Sequence, residues 1–252
     1  MSGLSKMRKL AWVETKLLVR DPLTLVFTFA FPLIMLFVLA GVFGNSTTGR
    51  TKVIYRGVGA IDYYVPAYVA LVAAAVGLVS LPVHLASYRE LGIFRRFRAS
   101  GIPAWSVLTA EIVVAFGLTL VGAVLVISST AAVYANKEPQ SLAGVLAVFV
   151  LVTLMFATIG ILLGAVLPNA RSAQALGMIL FFVMLLLSGG GPPPEVMSGA
   201  MRDVSDTLPL TYAVRILQDP WLGFGWQWTS FLAVTGCLVG AFLVAVRFFR
   251  WE

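Results

Sequence analysis

The stretch Ser87–Pro103, SYRELGIFRRFRASGIP, decides the fold because it is a basic island between two long apolar runs. It carries four arginines and one glutamate, whereas the flanking runs carry almost no charge. Arginine is costly in hydrocarbon, so we expect the island to lie outside a membrane that the flanking runs cross. Its apolar spacing predicts a short amphipathic helix that ends at Ser100, Gly101 and Pro103. The island is either a loop that only fixes topology or a docking surface.

Composition places the whole chain among membrane proteins. Of the 252 residues, 60% are hydrophobic and 12% charged, and the mean hydropathy is +0.95. No soluble domain of this size carries so apolar a composition on its surface. The net charge of +7 arises in short loops between apolar runs rather than on one polar face, so we expect no nucleic-acid partner. The chain is predicted to be a single all-α polytopic membrane domain, residues 1–252, in a lipid bilayer.

Six apolar runs predict membrane spans, since about 20 residues cross the hydrocarbon core. They are residues 23–43, 63–86, 105–135, 142–167, 173–188 and 228–246. The fifth run is short for a span that crosses alone. Within residues 1–22, apolar and basic residues recur near helical spacing, which predicts an amphipathic helix on the membrane surface. A secretory signal is the alternative, but the long basic lead and the missing cleavage pattern disfavour it.

Two spans carry glycine pairs at the spacing that lets membrane helices approach closely. Gly160 and Gly164 lie in the fourth span, and Gly236 and Gly240 lie in the last. We expect all four glycines to pack against neighbouring helices.

Residues 189–227 are too broken to span and too apolar to extend freely into water. The run Gly189-Gly190-Gly191-Pro192-Pro193-Pro194 forbids regular helix, and apolar patches follow it. We expect short re-entrant helices whose backbone is shielded by neighbouring protein. A plain amphipathic surface loop is the alternative.

The distribution of basic residues predicts the orientation. The side that holds both termini and the island receives twelve of the 18 basic residues. The other side receives Arg50, Lys52, Arg56, Lys137, Arg202 and Arg215, together with most of the acids. Basic loops stay in the cytoplasm, so both termini and the island are predicted to be cytoplasmic and residues 189–227 extracellular.

The order of residues in the island resembles a known family pattern. It contains an Arg-Glu pair, a Gly, and then a basic and apolar run that ends in a small residue and Pro. These residues are Arg89, Glu90, Leu91, Gly92, Phe94, Arg95, Arg96, Phe97, Arg98 and Pro103. The pattern resembles the loop between the second and third membrane helices of ABC-2 type permeases, the membrane subunits of one class of ATP-driven exporter. The resemblance implies that residues 87–103 form a cytoplasmic coupling helix that contacts an ATPase.

Two further motifs extend the resemblance over nearly the whole chain. Arg20-Asp21-Pro22 before Phe31-Pro32-Leu33 is similar to the family's first membrane helix. The run Leu187–Pro192, then Pro194, then Leu208–Arg215 is similar to the drug-export branch, the daunorubicin-resistance type. The resemblance implies two permeases, identical or closely related, on two ATP-binding subunits in a bacterial plasma membrane. It also implies export of an amphipathic drug, antibiotic or lipid.

The Gly- and Pro-rich breaks between the fifth and sixth spans are plausible hinges, so we expect this segment to close the outer end of the export path. The predicted extracellular gate residues are Gly189, Gly190, Gly191, Pro192, Pro194, Pro209, Leu210, Thr211 and Tyr212.

Missing motifs also bear on the mechanism. The sequence has no phosphate-binding Gly-x4-Gly-Lys-Ser/Thr motif, so we expect no ATP hydrolysis by this chain and place ATP and Mg on a separate subunit. The single Cys237 and single His84 predict no metal site and are interpreted as packing residues. An ion-coupled secondary transporter using Glu111 is the alternative function. A membrane enzyme or scaffold is a further rival, but the spans hold no catalytic constellation.

Overall fold

A computed structural model describes residues 22–44, 54–101, 103–134 and 137–248. The predicted surface helix at Leu4–Arg20 lies outside the described residues. All regular structure in the described ranges is helical, and six helices are long and apolar enough to cross a membrane. The expected all-α polytopic fold is confirmed.

We number the helices in chain order. Helix α1 comprises Pro22–Leu25, Val26–Ala30 and Phe31–Phe43, and α2 comprises Ala60–Ala75, Val76–Ser80 and Leu81–Glu90. They are followed by α3 (Ile93–Ala99), α4 (Ala104–Tyr134), α5 (Leu142–Val166) and α6 (Ala170–Leu187). A 3-10 turn (Pro194–Val196), α7 (Gly199–Ser205) and α8 (Pro209–Leu222) then lead to α9 (Trp228–Phe248). The candidate spans are α1, α2, α4, α5, α6 and α9.

Helix α6 begins three residues before the apolar run that predicted it. The Asn169 side chain accepts a hydrogen bond from the Ser172 N–H, and the Ser172 hydroxyl accepts one from the Asn169 N–H. This reciprocal cap starts the helix at Ala170, ahead of Arg171, which the hydropathy pattern excluded. The helix therefore has 18 residues, or about 27 Å at 1.5 Å per residue. It is long enough to count among the candidate spans.

Two wide π-helical turns lie directly before prolines inside α1 and α2. The N–H of Phe31 bonds the Val26 carbonyl, and the N–H of Leu81 bonds the Val76 carbonyl. The next residues are Pro32 and Pro82. A proline ring clashes with the carbonyl four residues earlier and removes one N–H, and a π turn accommodates both effects without ending the helix. Hence α2 continues through Pro82 to Glu90, four residues beyond the predicted end of the span at residue 86.

Helix α2 is the centre of the bundle. In its most apolar window 89% of residues are buried, against 22% in the corresponding windows of α1 and α9. Its π turn faces glycines of two neighbours. A Cβ added at Gly160 of α5 would collide with the Gly77 carbonyl, and one at Gly177 of α6 would collide with the Leu78 carbonyl. Glycine is therefore needed at these positions, because backbone meets backbone there.

The other predicted packing glycines divide into two groups. A Cβ at Gly164 would lie 2.7 Å from the Leu85 Cβ, so this residue also faces α2. No described atom lies within 4 Å of a Cβ added at Gly236 or Gly240. The pair in α9 therefore makes no close helix contact within the described chain, contrary to what its spacing predicted.

Candidate functional site

The basic island lies at one end of the bundle, which we call the island face. Helix α2 ends at Glu90, and Gly92 at φ +67° turns the chain into α3. A left-handed conformation of this kind favours glycine. Phe94 is buried, with its ring 6.0 Å from the Tyr88 ring of α2. Phe97 lies 6.3 Å from the same ring. Tyr88 thus anchors α3 to the end of the bundle.

The outer surface of the island is mainly cationic. Arg95, Arg96 and Arg98 are exposed on α3, and Leu91 is 64% exposed in the turn before it. Leu91 lies outside the helix of the island because the chain turns at Gly92. Pro103 is exposed after the helix. A partner at this face would meet three guanidinium groups and one leucine.

Arg89, at the end of α2, bonds to the end of α5. Its Nη1 donates to the Ala165 carbonyl at 2.6 Å. Ala165 lies in the last turn of α5, where carbonyls lack intrahelical partners and carry a partial negative charge. A guanidinium placed there both satisfies the carbonyl and complements the helix dipole. Arg89 therefore caps α5 from a distant part of the chain.

Glu90 makes the complementary contact with the start of α6. Its Oε2 accepts a hydrogen bond from the N–H of Ala170, the first residue of α6, at 3.3 Å. A carboxylate near the first turn satisfies an unpaired N–H and is stabilised by the partial positive charge there. Within the described residues, Glu90 forms no ion pair with an arginine of the island. We call Arg89, Glu90 and their two helix ends the turn clamp.

The turn clamp connects the chain just before α3 to α5 and α6, the fourth and fifth candidate spans. Consecutive residues of opposite charge hold the two ends of the short α5–α6 turn, each at the helix end that favours its sign. Helix α3 follows Glu90 after only two residues, so it begins directly beside both contacts. No local sequence pattern predicts this arrangement, since the partners are 76 and 80 residues apart.

Glu111 pairs with His84 across α4 and α2. The His84 Nδ1 lies 3.2 Å from the Glu111 Oε1, and the Glu111 side chain is 2% exposed. The interpretation of His84 as a packing residue is therefore incomplete. The adjoining cavity holds only about 10 Å³, about the minimum for one water molecule. This geometry does not favour Glu111 as the site of a transported ion and its hydration shell.

The opposite end of the bundle, the cap face, carries residues 188–227, which we call the cap segment. Tyr64 of α2 donates its hydroxyl proton to the Gly191 carbonyl at 2.8 Å, and the Gln218 Nε2 donates to the Tyr63 carbonyl at 3.1 Å. The loop before α5 also participates. The N–H groups of Gln140 and Ser141 donate to the carbonyls of Trp221 and Pro220. The cap segment is thus attached to both α2 and α5.

The predicted gate residues are divided between two parts of the cap segment. Gly189, Gly190, Gly191, Pro192 and Pro194 lie in the irregular stretch between α6 and α7, whereas Pro209, Leu210, Thr211 and Tyr212 form the first turn of α8. Leu210 is fully buried, and the Thr211 hydroxyl donates to the Ser205 carbonyl. The Tyr212 hydroxyl donates to the Asp206 carbonyl. Both bonds fix α8 to the end of α7, so hydrogen bonds hold the turn between the two helices at Pro209.

One buried carboxylate in α8 has an incomplete set of partners. The Asp219 Oδ2 accepts from the Gln227 N–H at 3.1 Å, while its Oδ1 has no hydrogen-bond partner. Burial raises the pKa of Asp219 above its usual value, and the Gln227 N–H and the charge of Arg56 oppose that shift.

Comparison with known proteins gives one positive finding. The family model described as ABC-2 type transporter matches residues 6–222, which include the turn clamp, α3 and α8. No curated protein matches the chain.

Proposed function

Because the chain belongs to the ABC-2 type transporter family, we propose that it is the permease subunit of an ATP-driven exporter in a bacterial plasma membrane. Its cargo would be an amphipathic drug, antibiotic or lipid-like molecule, as in the daunorubicin-resistance branch. The working unit would hold two permeases, identical or closely related, and two ATP-binding subunits that carry ATP and Mg. The chain itself is a multi-pass membrane transport component and is not catalytic.

The observation that carries this proposal is the turn clamp next to an exposed cationic helix. An ATPase that binds α3 would meet Arg95, Arg96 and Arg98, and surface carboxylates on the ATPase would complement them. A displacement of α3 by the bound ATPase would reach the end of α2 through the contact between Phe94 and Tyr88. It would reach the α5–α6 turn through the hydrogen bonds of Arg89 and Glu90. One docking event would therefore act on three spans.

The proposed coupling route from the ATPase continues through the centre of the bundle. Helix α2 contacts α5 and α6 through backbone at Gly160 and Gly177, where no side chain separates the helices. Its far end holds the cap segment through Tyr63 and Tyr64. A rigid displacement of α2 would consequently reach the cap face, which we assign to the extracellular side. Export would follow if the two copies of the cap segment separate when the ATPases close.

Site-directed crosslinking tests the docking surface. Arg95 and Arg98 are exposed, and we expect a cysteine placed at either position to crosslink efficiently to the ATPase in a complex that hydrolyses ATP. Phe94 is unsuitable for this purpose because it is buried against Tyr88. The matched control is a cysteine at Val204, which is 48% exposed on the cap face and should not react with the ATPase. Equal crosslinking at Val204 and Arg98 would contradict the proposal.

A transport assay tests the source of energy. In proteoliposomes that contain the permease and its ATPases, export should require ATP and should stop when the ATPases are inactivated. Transport that persists without ATP and is abolished by Glu111→Gln would instead indicate an ion-coupled transporter.

A further inference from the structure

The cap face contains a polar cavity with an unusual set of walls. It has a volume of about 270 Å³ and lies between the end of α2, the end of α6 and the cap segment. Its floor includes Tyr63, Ser188 and Gln218, which are all buried. Its rim includes Arg56 and Arg202, which are exposed to solvent. We call it the cap cavity.

The walls of the cap cavity carry more positive than negative charge. Of the described residues that line it, three are arginines, Arg56, Arg202 and Arg215, and one is acidic, Glu195. Asp206 lies outside the lining and binds Arg215 at 2.7 Å. Asp219 is buried outside the lining. Basic residues are scarce on this face, since only six of the 18 were assigned to it, yet Arg56 and two arginines of the cap segment converge on one cavity.

The arginines retain donors for a ligand. The guanidinium of Arg56 stacks 4.3 Å from the centre of the Phe224 ring and makes no hydrogen bond within the described residues. Among the described residues Arg202 donates only to the Pro194 carbonyl, and Arg215 donates through Nη2 to Asp206. Each guanidinium has five N–H groups, so each has several left over. The contacts among the described residues therefore leave several N–H donors of these arginines available to bind a ligand.

A second observation independently indicates an occupant. The Ser188 hydroxyl is buried in the cavity wall and has no hydrogen-bond partner in the part of the chain that the structure describes. Buried polar groups are normally paired, and an unpaired one destabilises the fold unless a ligand or water satisfies it. Ser188 follows the last turn of α6, so a ligand bound to it would also contact the span that the turn clamp holds at its other end.

The size of the cavity limits the occupant. Sites for drug-sized molecules occupy about 300–1,000 Å³. A cavity of about 270 Å³ lies at the small end of this scale, which suits a headgroup. Guanidinium groups bind phosphate oxygens in pairs, and a hydroxyl adds a further donor. Two guanidiniums on the rim and a hydroxyl on the floor suit a tetrahedral anion.

From this geometry we infer that the cap cavity binds a phosphate group, carried by the headgroup of an amphipathic anion or present as the free ion. The inference rests on the proposed export function for its role, since the site would hold the cargo headgroup near the outer end of the path. Binding itself does not depend on that function.

Calorimetry on the full chain in phosphatidylcholine nanodiscs, without ATP or ATPase, tests the site. The probes are dihexanoyl phosphatidic acid, dihexanoyl phosphatidylcholine and inorganic phosphate. We expect saturable binding of phosphatidic acid that is weakened about tenfold or more in the double variant Arg56→Gln and Arg202→Gln. Lys137→Gln removes one charge from the same face outside the cavity and should leave the affinity unchanged. Because no ATPase is present, failure here leaves the proposed function to its own transport assay.

Two smaller changes separate specific binding from general attraction and from misfolding. The double variant Arg56→Lys and Arg202→Lys keeps the charge but loses paired donation, and its affinity should fall between those of wild type and the glutamine variant. Ser188→Ala should weaken binding without lowering the melting temperature, because the hydroxyl has no partner in the protein. Equal binding of inorganic phosphate and phosphatidic acid would support the site and assign it to the free ion. Phosphatidic acid affinity that is the same in the arginine variants and in Lys137→Gln would overturn the inference.

Discussion

The two faces of the bundle hold their connecting segments in different ways. On the island face, α3 is attached to α2 through one aromatic cluster around Tyr88. The end of α2 contacts the α5–α6 turn through the two charged contacts of the turn clamp, of which Glu90 is exposed. On the cap face, the segment is attached by buried bonds to α2 and by backbone bonds to the loop before α5. Buried bonds resist competition from water better than exposed ones. From this comparison we expect the cap segment to move together with α2 and the island to be displaced more easily by a partner.

Cysteine labelling provides the largest expected contrast between the faces. In a background with Cys237→Ala, a cysteine at the exposed Ser198 should react with a membrane-impermeant maleimide added to intact cells. A cysteine at the exposed Ser100 on the island face should react only after the membrane is opened. Labelling at position 198 should also change when the ATPase is trapped with nucleotide.

Two other outcomes of the labelling would alter this account. Labelling of position 100 from outside would reverse the topology of the bundle. If labelling of position 198 does not change when nucleotide is trapped, the cap segment covers the outer end of the bundle without moving.

The connection between the faces is tested at the middle of α2. Gly177→Ala puts a methyl group against the Leu78 carbonyl, so the free energy of unfolding should fall by about 1–3 kcal/mol and ATP-driven export should fall with it. Gly236→Ala adds the same methyl group where no described atom lies within 4 Å, and it should be neutral or slightly stabilising. Thermal melting of both variants in detergent checks the difference. Equal losses in both would show that the backbone contact with α2 is unimportant.

The smallest expected effect concerns the buried carboxylate of the cap segment. Since burial raises the pKa of Asp219, its ionisation destabilises the folded state, and this penalty grows as the pH rises above the usual range of a carboxyl group. Asp219→Asn should therefore melt at a higher temperature than wild type at pH 7.5, and the two should converge near pH 4. Asp203→Asn is the matched control, because Asp203 is exposed. A lower melting temperature for Asp219→Asn at pH 7.5 would show that the Gln227 and Arg56 contacts outweigh burial.

The sequence predicted features that depend on composition and local pattern. Six spans, a short helix within residues 87–103 and helical pieces in the cap segment all follow from hydropathy and from glycine or proline breaks, although the structure begins the short helix only at Ile93. The start of α6 was placed too late because the capping pair of Asn169 and Ser172 precedes the apolar run. Hydropathy alone does not detect such a polar helix start.

Contacts between distant segments could not be predicted in this way. Spacing identified Gly160 and Gly164 but missed Gly77 and Gly177, which have no glycine four residues away and touch backbone of other helices. The same spacing in α9 meets no described neighbour, since a spacing does not specify a partner. Likewise, Arg56, Arg202 and Arg215 were counted only for topology. Their convergence on one cavity is a property of the fold.

The central claim is that Glu90 passes movement of the island to the start of α6, and stimulation of the ATPase by a transported drug tests it most directly. Glu90→Gln keeps a hydrogen-bond acceptor but removes the charge that complements the α6 dipole, an interaction worth about 0.3–1 kcal/mol. We predict that the purified complex assembles normally and that drug-stimulated activity falls about two- to fivefold. Glu138→Gln, an equivalent change at an exposed residue on the cap face, should have no effect. Stimulation that is the same in Glu90→Gln, Glu138→Gln and wild type would contradict the claim.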